Sequence, residues 1–317
     1  MSAVHVIHEN HEWSQPLFDA LQVQGTAYAD WHMGEGLLDL SSTPPAGIYY
    51  NRMSASSHTR GHRYSPEYTA AVLNWLESYG SRVINSEQAL RLEVSKVAQH
   101  RALEACGVRT PTTFAALGRD AIIAAAGRFN GEFITKHNRA GKGLGVKLFQ
   151  DVDAATAYVD GADFEPSVDG ITLVQQYIKA PTAHITRVEF VGGKLMYAVR
   201  VDTSEGFELC PADVCEVGDA FCPTSESSGE KFEIIDGFEH ELVPRFEALL
   251  AAHQIDVAAF EFIVDEQGQA YTYDINTNTN YNTQAEGRAG ASGMRTLAAY
   301  LGAELHSAVV SGERVAA

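Results

Sequence analysis

The sequence predicts an α/β fold of the mixed, α+β kind, with a small N-terminal parallel-sheet unit, a small central α+β unit and a C-terminal antiparallel-sheet unit. Three features point there. Val4 to Ile7, which read as a short buried strand, are followed by a helical pattern, and strand–loop–helix order calls for parallel strands. From about residue 115, short strands alternate with short helices around a loop of three glycines. From residue 187, two segment pairs read as hairpins, turning at Gly192-Gly193 and near Gln267-Gly268.

The first helix opens near Ser14-Gln15-Pro16, places Leu17, Ala20 and Leu21 on one face and stops at Gly25. The second has Ser65 as N-cap, Pro66 as first helical residue and Glu67 in its first turn, with Val72, Trp75, Leu76 and Tyr79 at helical spacing before Gly80. Strand-like Ser81 to Asn85 closes the first unit, residues 1–90. A helix with room for a break runs from Ser86 to Gly107, and Val108 to Phe114 is extended. A helix (Asp120 to Ala126), strands (Phe133 to Lys136 and Val146 to Phe149), a helix (Asp151 to Asp160) and a strand (Ile171 to Tyr177) complete a central unit over 91–178. The hairpins Arg187 to Val191 with Leu195 to Val201, and Val257 to Val264 with Ala270 to Ile275, form a C-terminal unit over 179–317. Between them residues 202–238 are acidic and weakly periodic.

The 317 residues carry 23 Lys+Arg against 41 Asp+Glu, a formal charge of −18, which opposes an electrostatic grip on nucleic acid. With 45% hydrophobic and 20% charged residues the composition is globular, and no apolar run approaches the ~18 residues of a membrane span. A soluble cytoplasmic protein is expected, with no nucleic-acid or membrane partner. Cys106, Cys210, Cys215 and Cys222 fit no zinc-knuckle spacing and read as reduced thiols. His5, His8 and His11 resemble ligands, but His8-Glu9-Asn10-His11 is one residue short of the spacing that puts two histidines on one helical face, so they read as the end of a strand and its loop.

Two stretches carry chemistry. In the loop from Lys136 to Val146, Gly141, Gly143 and Gly145 permit close backbone approach to phosphate, while Lys136, Arg139 and Lys142 supply cations; the pattern fits neither a P-loop nor a dinucleotide fingerprint. In the late hairpin, counting outward from a turn at 266–269 sets Asp265 opposite Ala270 and Glu261 opposite Asp274, with Asn276 on the same side of the pleat. Glu261, Asp274 and Asn276 form an all-oxygen set suited to Mg²⁺ or Mn²⁺, and Glu261 is otherwise surrounded by apolar neighbours, where an unpaired charge is costly.

In order along the chain, Ser95-Lys96, Gly107-Val108-Arg109-Thr110-Pro111-Thr112-Thr113, Phe133-Ile134-Thr135-Lys136 with its Gly-rich loop, Val174-Gln175-Gln176-Tyr177-Ile178, Thr186-Arg187-Val188, Gly192-Gly193-Lys194, Ala198-Val199-Arg200, Phe260-Glu261 and Asp274-Ile275-Asn276 resemble an ATP-grasp protein. They are most similar to the RimK-like and glutathione-synthetase-like carboxylate–amine ligases, over nearly the whole chain. The resemblance implies the ATP-grasp fold, with residues 91–178 as lid. It implies ATP and Mg²⁺ (or Mn²⁺) as cofactors, Lys96 and Lys136 on the nucleotide phosphates, and Gln175, Gln176, Tyr177 and Ile178 at the adenine. Arg187 and Arg200 would lie at the transferred phosphate, and Glu261, Asp274 and Asn276 on the metal. Asp274 stands where Glu is common, and Thr277 to Asn282 replaces the usual small residue–Pro–Gly turn, so the acceptor pocket departs most from the pattern.

The implied reaction is ATP-dependent ligation of a carboxylate to an amine through an acyl phosphate, with Arg200 stabilising the oxyanion and the Gly-rich loop closing out water. A phosphotransferase and a catalytically silent nucleotide-binding sensor are the alternatives. Substrate choice is expected in 51–63, three Arg and two His without an acidic residue, where Asn51, Arg52 and Arg60 would meet an amino-acid or peptide carboxylate. A homodimer or homotetramer is compatible with the resemblance.

Overall fold

The computed structural model describes residues 2–141, 143–204 and 231–311. Its first unit comprises β1 (Ala3–His8), α1 (His11–Val23), β2 (Tyr28–His32), β3 (Gly47–Asn51), α2 (Ser65–Ser78) and β4 (Val83–Ile84), with the strands parallel in the order β2-β1-β3-β4. Alternation along the strands sends side chains to both faces, and both are covered. Val4, Val6, Ile48 and Tyr50 pack on Leu17, Phe18 and Leu21 of α1. Ile7 and Tyr49 pack on Val72, Leu73 and Leu76 of α2. Helix α1 starts three residues before Ser14, because Asn10 accepts from the Trp13 amide and caps it; Pro16 lies inside. Ser65 is the first helical residue of α2 instead of its cap, since its hydroxyl donates to the Met33 carbonyl.

The expected break in the next helix is present. Helices α3 (Glu87–Glu93) and α4 (Lys96–Ala105) are separated at Val94-Ser95, and the Ser95 hydroxyl caps α4 by accepting from the Ala98 amide. Ala89, Leu92, Ala102 and Leu103 of these helices join the core beneath the C-terminal sheet. The central unit follows as β5 (Thr113–Leu117), α5 (Arg119–Ala126), β6 (Phe133–His137), β7 (Lys147–Phe149), α6 (Val152–Val159) and β8 (Ile171–Gln176), an antiparallel sheet in the order β5-β8-β6-β7. Helices α5 and α6 cover one side of it through Ile122, Ala125, Ala155 and Val159.

The third sheet, ordered β11-β10-β9-β12-β13, consists of β9 (His184–Val191), β10 (Lys194–Asp202), β11 (Phe232–Ile235), β12 (Val257–Val264) and β13 (Ala270–Asn276). Strand β11 lies in the acidic stretch that shows no strand pattern, and it pairs with Ala198 to Val201. Helix α7 (Val243–Ala252) packs Phe246, Leu249 and Leu250 against one face. After α8 (Thr283–Ala289), α9 (Gly293–Ser311) returns to the first unit, adding Leu297, Ala298 and Leu301 to its core. Cys106 is a free thiol; Lys142, Cys210, Cys215 and Cys222 lie outside the described residues. Among those residues no helix is long and apolar enough to cross a membrane.

Candidate active site

The β12–β13 register brings Glu261 opposite Asp274, with Arg187 of β9 opposite Glu261 on its other side. Nearer the turn the pairing differs from the count: Val264, not Asp265, opposes Ala270. A bulge at Tyr273 inserts one residue between the pairs Phe262–Thr272 and Glu261–Asp274 and restores the expected carboxylate pair. Tyr273 and Asp274 consequently both face the site, and the Tyr273 hydroxyl bonds to Glu261. Burial, reinforced by the Glu261 and Asp274 charges, pushes that phenol well above its ordinary range.

Like charges so close require compensation. The Arg187 guanidinium donates to Glu189 (2.6 Å), Glu261 (2.7 Å) and the Thr279 hydroxyl (2.7 Å), and all of these bonds are buried. Burial opposes its charge, but Glu189 and Glu261 outweigh that and hold it protonated. Burial raises the pKa of Glu189, and Arg187 with Thr279 opposes the rise. Lys96, the first residue of α4, reaches Asp274 Oδ1 at 2.5 Å. Lys136 of β6 donates to the Tyr273 carbonyl at 3.2 Å and lies over that ring at 5.7 Å. Burial, then the Lys96 charge, pulls the Lys136 ammonium down to about 7 despite Asp274 and Glu261. Asn276 donates its amide to Glu261 at 3.4 Å.

Lys96, Lys136, Arg187, Glu261, Tyr273, Asp274 and Asn276 line one cavity of about 390 Å³, within the range of small-molecule sites, while Glu189 and Thr279 lie behind it. Gln175, Gln176, Tyr177 and Ile178 form one wall as β8 leaves the central sheet. Gly141 and Gly143 form another. Gly145 does not line it: its φ is +72, and a Cβ there would meet the His137 ring, so glycine is needed for the loop's own folding. The central unit is held against the first unit by Arg139, which donates to both Glu67 oxygens (2.7 and 3.2 Å), while Arg63 donates to the Val168 carbonyl.

Arg200 departs from expectation. Arg187 is paired across β10 with Val199, and Arg200 with Thr186, so alternation turns Arg200 to the opposite face of the sheet. It is half-exposed, pairs with Glu233 at 2.9 Å and lies outside the cavity lining. Asn51 is likewise structural: it donates to the Asn85 carbonyl and accepts from the Met53 amide. Arg52 lies behind the cavity wall, donating to Asn280 Oδ1 at 2.8 Å, and Asn280 lines the cavity. Its other terminal nitrogen is buried with no hydrogen-bond partner among the described residues, as are the Tyr50 and Tyr281 hydroxyls. Arg60 stacks over the Trp13 ring of the cavity wall at 4.6 Å and pairs with buried Glu9.

Sequence reasoning missed Trp13, Ser54, Ser56, Glu93, Asn278 and Asn280 on the walls. Glu93 accepts from the backbone of Ala55, Thr277 and Asn278, tying the first unit to the segment after β13. The available signal was the unusual run Thr277 to Asn282, whose side chains supply the site where a turn was expected.

No protein-family model and no curated protein matches the sequence. Solved structures do match over nearly the whole chain. A RimK-domain ATP-grasp protein from Sphaerobacter thermophilus superposes with a TM-score of 0.63 at 19% identity, covering 94% of this chain and 99% of that one. D-cycloserine synthetase gives 0.65 at 16%, covering 96% and 100%. The ATP-grasp ligase PsnB, in complex with a minimal precursor, gives 0.66 at 15%, covering 96% and 99%. The chain therefore has the ATP-grasp fold.

Proposed function

We propose that this protein is an ATP-dependent, ADP-forming carbon–nitrogen ligase that joins a carboxylate to an amine through an acyl phosphate, with an amino acid or small peptide as substrate. The observation that carries the reading is the convergence of Lys96, Lys136, Arg187 and the Glu261–Asp274–Asn276 set on one cavity walled by a glycine loop and the end of β8. That D-cycloserine synthetase and the ligase PsnB share the fold supports it.

The three oxygen ligands fit Mg²⁺ or Mn²⁺ by donor chemistry, and their charge is already balanced by Lys96 and Arg187. A cation held there with ATP would neutralise phosphate charge. Lys96 and Lys136 would bind the phosphates, and Gln175 to Ile178 would take the base. A substrate carboxylate oxygen attacks the γ-phosphorus and ADP leaves. The amine nitrogen then attacks the acyl carbon, the carbon–oxygen bond to phosphate breaks, and the amine loses one proton. Arg187, held in the cavity by Glu189 and Glu261, takes the electrostatic role first expected of Arg200. Gly141 and Gly143 close over the acyl phosphate and exclude water. Arg52, which donates to Asn280 from behind the wall, and Arg60, stacked on Trp13, are proposed to position those wall residues toward the substrate carboxylate instead of touching it themselves. A free Cys106 and the need for ATP suit action in the cytoplasm.

Incubation with ATP, Mg²⁺, pooled amino acids or dipeptides, and hydroxylamine tests this reading. ADP release with hydroxamate formation is expected, since hydroxylamine intercepts an acyl phosphate, and Asp274→Asn should suppress both. ADP with a stable phosphorylated product and no hydroxamate would establish a phosphotransferase instead. Tight ATP binding without turnover, unchanged in Asp274→Asn, would establish a sensor.

A further inference from the structure

Away from the cavity carboxylates, the C-terminal edge of the parallel sheet gathers a different donor set. His8 ends β1, His11 opens α1 and Asp30 lies on the neighbouring strand β2. Asp30 is in register with Val6, and Val6 faces α1, so the strand-to-helix turn folds His11 back over the carboxylate. One oxygen of Asp30 meets His8 Nε2 at 2.6 Å and the other meets His11 Nδ1 at 3.1 Å. The three potential ligand atoms all lie within 4.8 Å of one another. A spacing that fails on a single helix succeeds here because the two histidines sit on different elements.

We propose that His8, His11 and Asp30 form a site for a transition-metal dication of the zinc type, separate from the all-oxygen site at Glu261. Two imidazoles and a carboxylate favour Zn²⁺ or Co²⁺ over Mg²⁺. With bonds of about 2.0–2.1 Å, tetrahedral donors stand roughly 3.3 Å apart, so the ion would replace the two hydrogen bonds after shifts of under about 1 Å. Such movement is available: His8 is only 1% exposed and fixes the site, whereas the His11 side chain is 60% exposed and Asp30 38%. The exposed side leaves room for water or another ligand in the remaining position. An ion here would also fix the turn bearing Glu9, whose carboxylate holds Arg60 against Trp13 on the cavity wall.

The test uses full-length protein in which Cys210, Cys215 and Cys222 are replaced by Ser and Cys106 by Ala, so that thiols do not compete. Chelator-treated protein is titrated with Co²⁺ in excess Mg²⁺, reading visible ligand-field absorption and equilibrium binding. One equivalent is expected to bind with resolved bands, to be displaced by Zn²⁺, and to bind at least about tenfold more weakly in His11→Ala and in Asp30→Asn. Asp274→Asn should leave it unchanged. Both changed residues at the site are exposed, and unchanged melting temperatures of the metal-free variants would show that the fold survives. Absence of stoichiometric binding would leave the cluster a metal-free His–Asp–His staple and overturn the proposal. So would equal affinity in His11→Ala and Asp30→Asn, or loss of binding in Asp274→Asn, which would place the ion at the cavity carboxylates.

Discussion

The two faces of the five-stranded sheet are built from alternate residues of the same strands, yet they use opposite physical devices. On the cavity side, Arg187 and Glu189 of β9 and Glu261 of β12 are buried charges that satisfy one another. On the other, Val188, Phe190, Phe260 and Phe262 are buried hydrocarbon, with the Phe260 ring stacked 4.2 Å from Phe246 of α7. Burying hydrocarbon is favourable wherever the fit is good, whereas a buried charge is tolerable only while its partner remains. The polar face is thus held by mutual dependence and the apolar face by area. Chemistry can be placed on the first because the second holds the strands in position.

The sharpest way to break this contrast is Arg187→Ala. It strands Glu189 and Glu261 without a cation, and a loss of about 3–5 kcal/mol is expected in urea denaturation, with loss of ADP release by the molecules that stay folded. Phe260→Ala on the opposite face should also cost about 3–5 kcal/mol through transfer and cavity terms, yet leave ATP affinity of the folded protein unchanged in calorimetry. Lys136→Ala should weaken ATP by about 1.5–3 kcal/mol with little change in ligand-free melting temperature. Because Lys136 is depressed to about 7 and phosphate would raise it again, ATP binding near pH 7–8 should take up a proton. Affinity should accordingly fall as pH rises through that range. Calorimetry in buffers of different ionisation enthalpy reads the uptake, which should vanish in Lys136→Met. The smallest effect belongs to Arg200→Ala, within about 1 kcal/mol in stability and without loss of turnover, since it removes an exposed pair with Glu233.

Much of the molecule was legible because its signals are periodic. The strand–helix order of the first unit, the glycine loop between β6 and β7, and the hairpin at Gly192-Gly193 all follow local rules of φ, capping and alternation. The Glu261–Asp274 pair follows from a count that is one residue out at the turn, and the bulge at Tyr273 offsets that difference. Arg200 went astray for the converse reason. The family resemblance implies a place at the transferred phosphate, but one step along a strand reverses the face, and only the β9–β10 register decides which side it takes. Asn51 and Arg52 show a further gap: adjacent residues at the end of β3 serve different partners, Asn85 and Asn280, from other parts of the chain. Contacts of that range leave no periodic trace.

The bulge also makes the hairpin modular. Thr272 and Asp274 pair with consecutive residues of β12, so removing Tyr273 would leave a regular ladder in which Glu261 still meets Asp274. The additional residue contributes only what it carries: a carbonyl and a ring for Lys136 and a hydroxyl for Glu261. Carboxylate geometry and lysine environment are therefore separable variables, the first set by strand pairing and the second by a single inserted position. A lineage could gain or lose that position, and retune the lysine, without dismantling the acidic pair.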